Sequence, residues 1–217
     1  MSQPTFRGAL RPRKTVHRAA VLEPEKVGQL LRDIDAYEGY FPLVCALKLA
    51  PLVFTRPTEL RAAQWKEFDL ESGEWRIPAE RMKMRRQHLV PLPRQAISIL
   101  RELQKYSGEG TYLFPSIRTE VRPISDVTML NALRRMGYQK HEMSVHGFRS
   151  IASTLLNELG YNRDWIERQL AHGEQDEVRA AYNYAEYLPE RRKMMQAWAD
   201  YLDGLRNTQQ KRNREGV

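Results

Sequence analysis

The sequence predicts a mainly α-helical α+β domain with one small, three-stranded antiparallel sheet. Apolar residues recur at helical spacing through most of the chain. Only residues 65–92 carry short β-type runs punctuated by a turn. The 217 residues, 41% hydrophobic and 29% charged, have an ordinary globular composition and can bury a sizeable core.

Residues 1–20 hold Pro4, Gly8, Pro12 and five cations without an apolar period, and read as a linker. Glu23-Pro24 opens a helix, because proline is tolerated in a first turn; Val27, Leu30, Leu31 and Ile34 form its apolar face. Residues 41–54 are strongly apolar and predict a buried helix that Pro51 bends or ends. Pro57 restarts a helix through Glu59, Leu60 and Ala63. Trp65–Leu70, Glu74–Ile77 and His88–Leu92 are the predicted strands. Ser72-Gly73 makes the first turn and the cationic stretch 78–87 the second connection. Arg94–Tyr106 is helical, Tyr112–Pro115 a short extended piece, and Asp126–Met136 a helix stopped by Gly137. Val145–Leu159 carries a stripe of Val145, Phe148, Ala152, Leu155 and Leu159, ended by Gly160. Asn162 caps a helix to Leu170, Asp176–Tyr184 forms another, and Pro189 breaks the chain before a last helix through Leu205.

The formal net charge of +8 is uneven. Residues 1–18 carry five cations and no acid, residues 76–94 six against Glu80, and residues 206–217 four against Glu215. Basic stretches on a slightly acidic body suggest a polyanionic partner, although solvated charge has the same composition. Cys45, the one cysteine, cannot form an internal disulfide or a Cys-rich zinc site, which suits a reducing cytoplasm. The chain has no run of about 18 apolar residues, no Gly-rich phosphate loop and no H-E-x-x-H. Its chemistry is therefore expected to use cations and a covalent nucleophile.

Several side chains suit that chemistry. His146 and Arg149 share a helix face and can hold one phosphate between imidazole and guanidinium; in isolation the pattern also reads as a surface pair. Arg56 lies three residues before Glu59, a carboxylate able to orient it or to form a plain helix-start ion pair. Lys83 sits in the cationic loop with Arg81, Arg85 and Arg86; the arginines suit DNA phosphates, and the lysine can also protonate a leaving oxygen. His172 follows a helix end, where a cation also serves as a cap. Tyr182 falls on the inward face with Val178, Ala181 and Ala185, as either a nucleophile or a core tyrosine.

Together these residues resemble the tyrosine recombinase (phage integrase) family, most closely prophage integrases of enterobacterial type. The resemblance rests on Arg56-Pro57-Thr58-Glu59-Leu60-Arg61, Ile77 to Lys83, His88 to Leu92, His146-Gly147-Phe148-Arg149, Leu170-Ala171-His172 and Arg179 to Asn183, and spans nearly all of residues 23–205. It implies the tyrosine recombinase catalytic-domain fold and a catalytic set of Arg56, Lys83, His146, Arg149, His172 and the nucleophile Tyr182, with Glu59 supporting Arg56. Val53-Phe54-Thr55 replaces the Thr-Gly-x that usually precedes the arginine, and Tyr184 is a second tyrosine nearby. The implied reaction is DNA integration or recombination through a 3′-phosphotyrosyl intermediate, without cofactor, metal or ATP. The implied partners are double-stranded attachment-site DNA, further copies in a tetrameric synapse, and DNA-bending or excision factors. A bacterial, nucleoid-associated location goes with them.

The resemblance also implies an interdomain linker at 1–20, a catalytic domain at 21–205 and a basic tail at 206–217, without the family's arm-binding and core-binding domains. The last helix is expected to pack either on a neighbouring copy or on its own domain. The rival readings are a degenerate DNA-binding module, a topoisomerase IB-like relaxing activity, and a metal-dependent nuclease that EDTA would inhibit.

Overall fold

Residues 19–171 and 187–215 are described by the computed structural model, with side chains through residue 208. Four elements lead to the sheet region: α1 (Pro24–Ala36), α2 (Phe41–Val53), α3 (Pro57–Arg61) and a 3₁₀ turn at Trp65–Glu67. The sheet follows as β1 (Phe68–Asp69), β2 (Glu74–Ile77), a second 3₁₀ turn at Ala79–Arg81 and β3 (His88–Pro91). After it come α4 (Arg94–Ser107), β4 (Pro115–Ser116), β5 (Thr119–Pro123), α5 (Thr128–Arg135), α6 (Gly147–Glu158), α7 (Arg163–Gln169) and α8 (Leu188–Glu215).

The apolar helix α2 is the hub of the core, packing against α1, α4, α5, α6 and α8. Nearly all its side chains are buried, because neighbours cover it on every side. Pro51 sits in its last turn and has no N–H to continue the ladder, and the helix ends two residues later. Phe54 closes it in a left-handed conformation, φ 35° and ψ 37°, with its N–H on the Ala50 carbonyl at 3.0 Å.

The mainly helical class and the three-stranded antiparallel sheet stand as predicted, in the order β1-β2-β3, with Phe68 opposite Trp75 and Ile77 opposite His88. The first strand is much shorter than Trp65–Leu70. The Trp65 indole donates to the Ser107 carbonyl at 2.8 Å, and residues 65–67 wind into a 3₁₀ turn. A second, two-stranded sheet, β4 with β5, was not expected. Its first strand is only two residues long, and its second faces solvent and carries charges and a proline, so the pair shows neither an apolar run nor a buried alternation.

Two helix readings shift. In α6, Ile151 and Leu156 join Phe148, Ala152 and Leu155 in the core, whereas Leu159 lies beyond the last turn and is 46% exposed. Pro189 starts α8 instead of breaking the chain, since a first turn needs no N–H from it. Helix α8 continues past Leu205 to Glu215. Its Met194, Met195, Trp198 and Leu202 are buried in cis against α1, α2, α7 and β3, and the Trp198 indole donates to the Pro51 carbonyl at 2.9 Å. The apolar face considered for a neighbouring copy is therefore part of this chain's own core. The predicted helix at Asp176–Tyr184 lies outside the described residues.

Candidate active site

A helix leaves its last carbonyls without intrahelical donors and concentrates negative partial charge there. Asn162 starts α7 by accepting the Asp164 N–H at 2.7 Å. At the other end, three consecutive carbonyls meet three different basic side chains. The Gln169 carbonyl lies 3.1 Å from His88 Nε2. The Leu170 carbonyl accepts from Arg149 Nη2 at 2.7 Å, and the Ala171 carbonyl accepts from Arg56 Nη2 at 2.9 Å. Ala171 adopts φ 48°, which turns the chain sharply just past the helix.

Arg56 is the residue before α3, with Pro57 at the first helical position. Glu59 is 2% exposed and serves it twice, accepting the Arg56 backbone N–H at 2.9 Å and Nη1 at 2.8 Å. One carboxylate thus caps the helix and orients the guanidinium.

Arg149 lies one turn into α6, its N–H on the His146 carbonyl at 3.0 Å. It is 4% exposed. Nη1 donates to the Phe54 carbonyl at 2.9 Å, and buried Nε has no partner among the described residues. Burial lowers its pKa to about 10, and the neighbouring Arg56 charge acts in the same direction; it stays protonated at neutral pH. His146 is half-buried and sits at the entrance to α6. The next residue has to be small, because a Cβ on Gly147 would stand 2.6 Å from the Ala19 carbonyl.

The loop between β2 and β3 divides its cations. Arg81, grouped in the sequence with Arg85 and Arg86, turns inward: its guanidinium pairs with buried Glu67 and donates to the Glu59 carbonyl. Glu67 also accepts the Trp75 indole N–H at 2.9 Å. The base of the loop is thereby tied to the helix that bears Glu59. Lys83 and Arg85 are exposed and Arg86 half-exposed beyond that tie.

Arg56, Glu59 and Arg149 therefore converge, with His146 one turn away and Lys83 on the adjoining loop. His172 and Tyr182, with Tyr184, lie outside the described residues. The sequence reading missed the buried set of His88, Gln169 and Arg191 behind the α7 end. Arg191 donates to Gln169 Oε1 at 2.7 Å from Nη2 and at 3.2 Å from Nε. Its apolar neighbours in sequence, Met194 and Met195, were the available sign that this turn faces the core. Two clefts, of about 890 and 780 Å³, flank the β4–β5 hairpin and share no lining residue with this cluster.

Residues 20–188 match the model of the phage integrase family. The integrase of Enterobacteria phage P4 is 44% identical over 215 residues, covering 92% of this chain and 49% of that protein. Prophage integrase IntA of Escherichia coli K12 is 42% identical over 181 residues, covering 83% and 44%. The chain thus spans about half the length of these curated relatives. Among solved structures, the integrase from mycobacterium phage Brujita superposes with a TM-score of 0.61 at 14% identity, over 86% of this chain and 59% of that one. A lambda integrase dimer bound to a COC′ core site gives 0.57 at 20% identity, over 76% and 62%. These superpositions identify the catalytic-domain fold of site-specific recombinases.

Proposed function

The chain belongs to the phage integrase family, and from that premise we propose that it is the catalytic domain of a tyrosine-type site-specific DNA recombinase acting through a 3′-phosphotyrosyl intermediate. The observation that carries this reading is the pair of guanidiniums, Arg56 and Arg149, held by fixed acceptors around one helix end. Donors held in place before the substrate arrives suit a pentacoordinate phosphorane, whose equatorial oxygens gain negative charge as it forms.

The Tyr182 oxygen attacks the scissile phosphorus, and the bond from phosphorus to the 5′ oxygen breaks. His146 accepts the phenol proton, and Lys83 donates one to the departing 5′ oxygen. Arg56, Arg149 and His172 bind the non-bridging oxygens. The phosphoester is conserved as a tyrosyl ester, so a second 5′-hydroxyl rejoins the strands by the reverse attack, without ATP or a metal. Exposed Arg85 and half-exposed Arg86 contact flanking phosphates. The partners in this reading are attachment-site DNA, other copies of the protein in a synapse, and DNA-bending or excision factors.

The test is a nicked suicide duplex incubated with the chain in EDTA, followed by mapping of the trapped peptide. Tyr182→Phe is expected to abolish the adduct while retaining DNA binding, and Tyr184→Phe to leave it intact. The reverse pattern overturns the assignment. Lys83→Ala is expected to be rescued by a 5′-bridging sulfur, whose departure needs no proton; a failed rescue leaves Lys83 only a phosphate-gripping role.

A further inference from the structure

Arg191 is a fully buried cation whose acceptors among the described residues are all neutral. Besides Gln169 Oε1, Nη2 reaches the Leu89 carbonyl at 2.5 Å, while Nη1 and the Gln169 amide nitrogen have no partner among the described residues. Burial, reinforced by the Arg168 charge, lowers its pKa to about 9. Burying a charge without a counter-ion is costly to desolvate, so stability alone gives little reason for an arginine here. Its location gives a better one. Leu89 lies in β3, on the return from the Lys83 loop. Gln169 ends α7, and the next two carbonyls hold Arg149 and Arg56. Arg191's own N–H bonds the Tyr187 carbonyl at 2.8 Å in the first turn of α8. From the start of the last helix, a single guanidinium thus joins the strand leaving the lysine loop to the helix end that orients both arginines.

We propose that Arg191 is a positioning residue for DNA cleavage, acting through Gln169 to fix the α7 carbonyls that hold Arg56 and Arg149. The cleavage part of this proposal rests on the recombinase reading; the positioning part does not. Its test compares Arg191→Met, Arg191→Lys and Gln169→Met in the 217-residue chain. Thermal unfolding, DNA affinity, the single-turnover trapping rate and the ¹⁵N signals of the Arg56 and Arg149 Nε–H groups are measured together.

Arg191→Met, which removes a buried charge but unpairs two acceptors, is expected to stay folded and to retain DNA affinity, yet to slow trapping by about ten- to a hundredfold, the scale of a small misplacement of catalytic groups. Both guanidinium signals are expected to move, and Arg191→Lys to restore part of the rate. Unmoved signals, or a parental trapping rate in a folded Arg191→Met, overturn the proposal. If Arg191→Met does not fold, Gln169→Met decides by the same readouts. If the parent chain traps no DNA, the recombinase reading fails, and the guanidinium signals alone decide the role of Arg191.

Discussion

The Phe54 carbonyl faces Arg149 Nη1 at 2.9 Å because Phe54 itself stands in the left-handed region, at φ 35°. By the family resemblance, a glycine usually stands at this position. Here a phenylalanine accepts the strain, and its buried ring lies edge-on to Trp198 with centroids 6.3 Å apart.

Phe54→Gly sets two effects against each other. Relief of the left-handed strain returns about 1–2 kcal/mol. Loss of a fully buried aromatic ring costs about 3–5 kcal/mol. The variant is expected to be about 2–3 kcal/mol less stable, which urea unfolding measures; equal or greater stability would show that the ring contributes little to the Trp198 contact.

Glu59 is the carboxylate on which Arg56 depends. Glu59→Ala leaves a largely buried guanidinium without its counter-charge, and unfolding stability is expected to drop by about 3 kcal/mol. Adduct formation is expected to fall by about 10²-fold with DNA affinity nearly unchanged, because one preorganised donor is released. Glu59→Gln retains the carbonyl that can accept the Arg56 backbone N–H and is expected to lose less stability.

The loop cations are expected to separate by phenotype. Arg81→Ala strips buried Glu67 of its cation and is expected to lower Tm. Arg85→Ala and Arg86→Ala are expected to leave Tm unchanged and to reduce the slope of log affinity against log salt by about 0.9 each. An Arg81→Ala variant of normal stability with a reduced salt slope would place Arg81 among the phosphate contacts instead.

His88 is buried beside the Arg191, Arg168 and Arg149 charges. Burial first, then those cations, hold its pKa well below 6.5. The unfolded chain therefore takes up a proton before the folded one does as pH falls. The stability contribution is complete above about pH 6.5 and declines below it by up to about 1.4 kcal/mol per pH unit. Unfolding between pH 8 and pH 5 measures this slope. His88→Gln, which keeps a donor for the Gln169 carbonyl without titrating in this range, is expected to flatten it.

Where helix signals coincided with burial, the sequence was readily legible. Pro24 with the Val27–Ile34 stripe, the apolar Phe41–Val53 run and the Asn162 cap each combine a boundary residue with an apolar face. The β4–β5 hairpin was not legible because β4 is only two residues long and β5 is solvated and carries no core pattern. At the site, Arg56, Glu59 and Arg149 could be found from spacing and family motif. The carbonyls of Phe54, Leu170 and Ala171 that hold the arginines could not, because a backbone acceptor leaves no trace in residue type. Arg191 was hidden for a related reason: in the sequence a buried arginine reads like any surface cation.

The run of carbonyls at 169, 170 and 171 serves His88, Arg149 and Arg56 one residue at a time. Adding or deleting a residue within Arg163–Gln169 would rotate that terminus by about 100° and hand each recipient the wrong oxygen. The length of this segment is thus constrained even where its composition is free: point changes on its outer surface are tolerable, whereas an indel would disturb all three attachments at once.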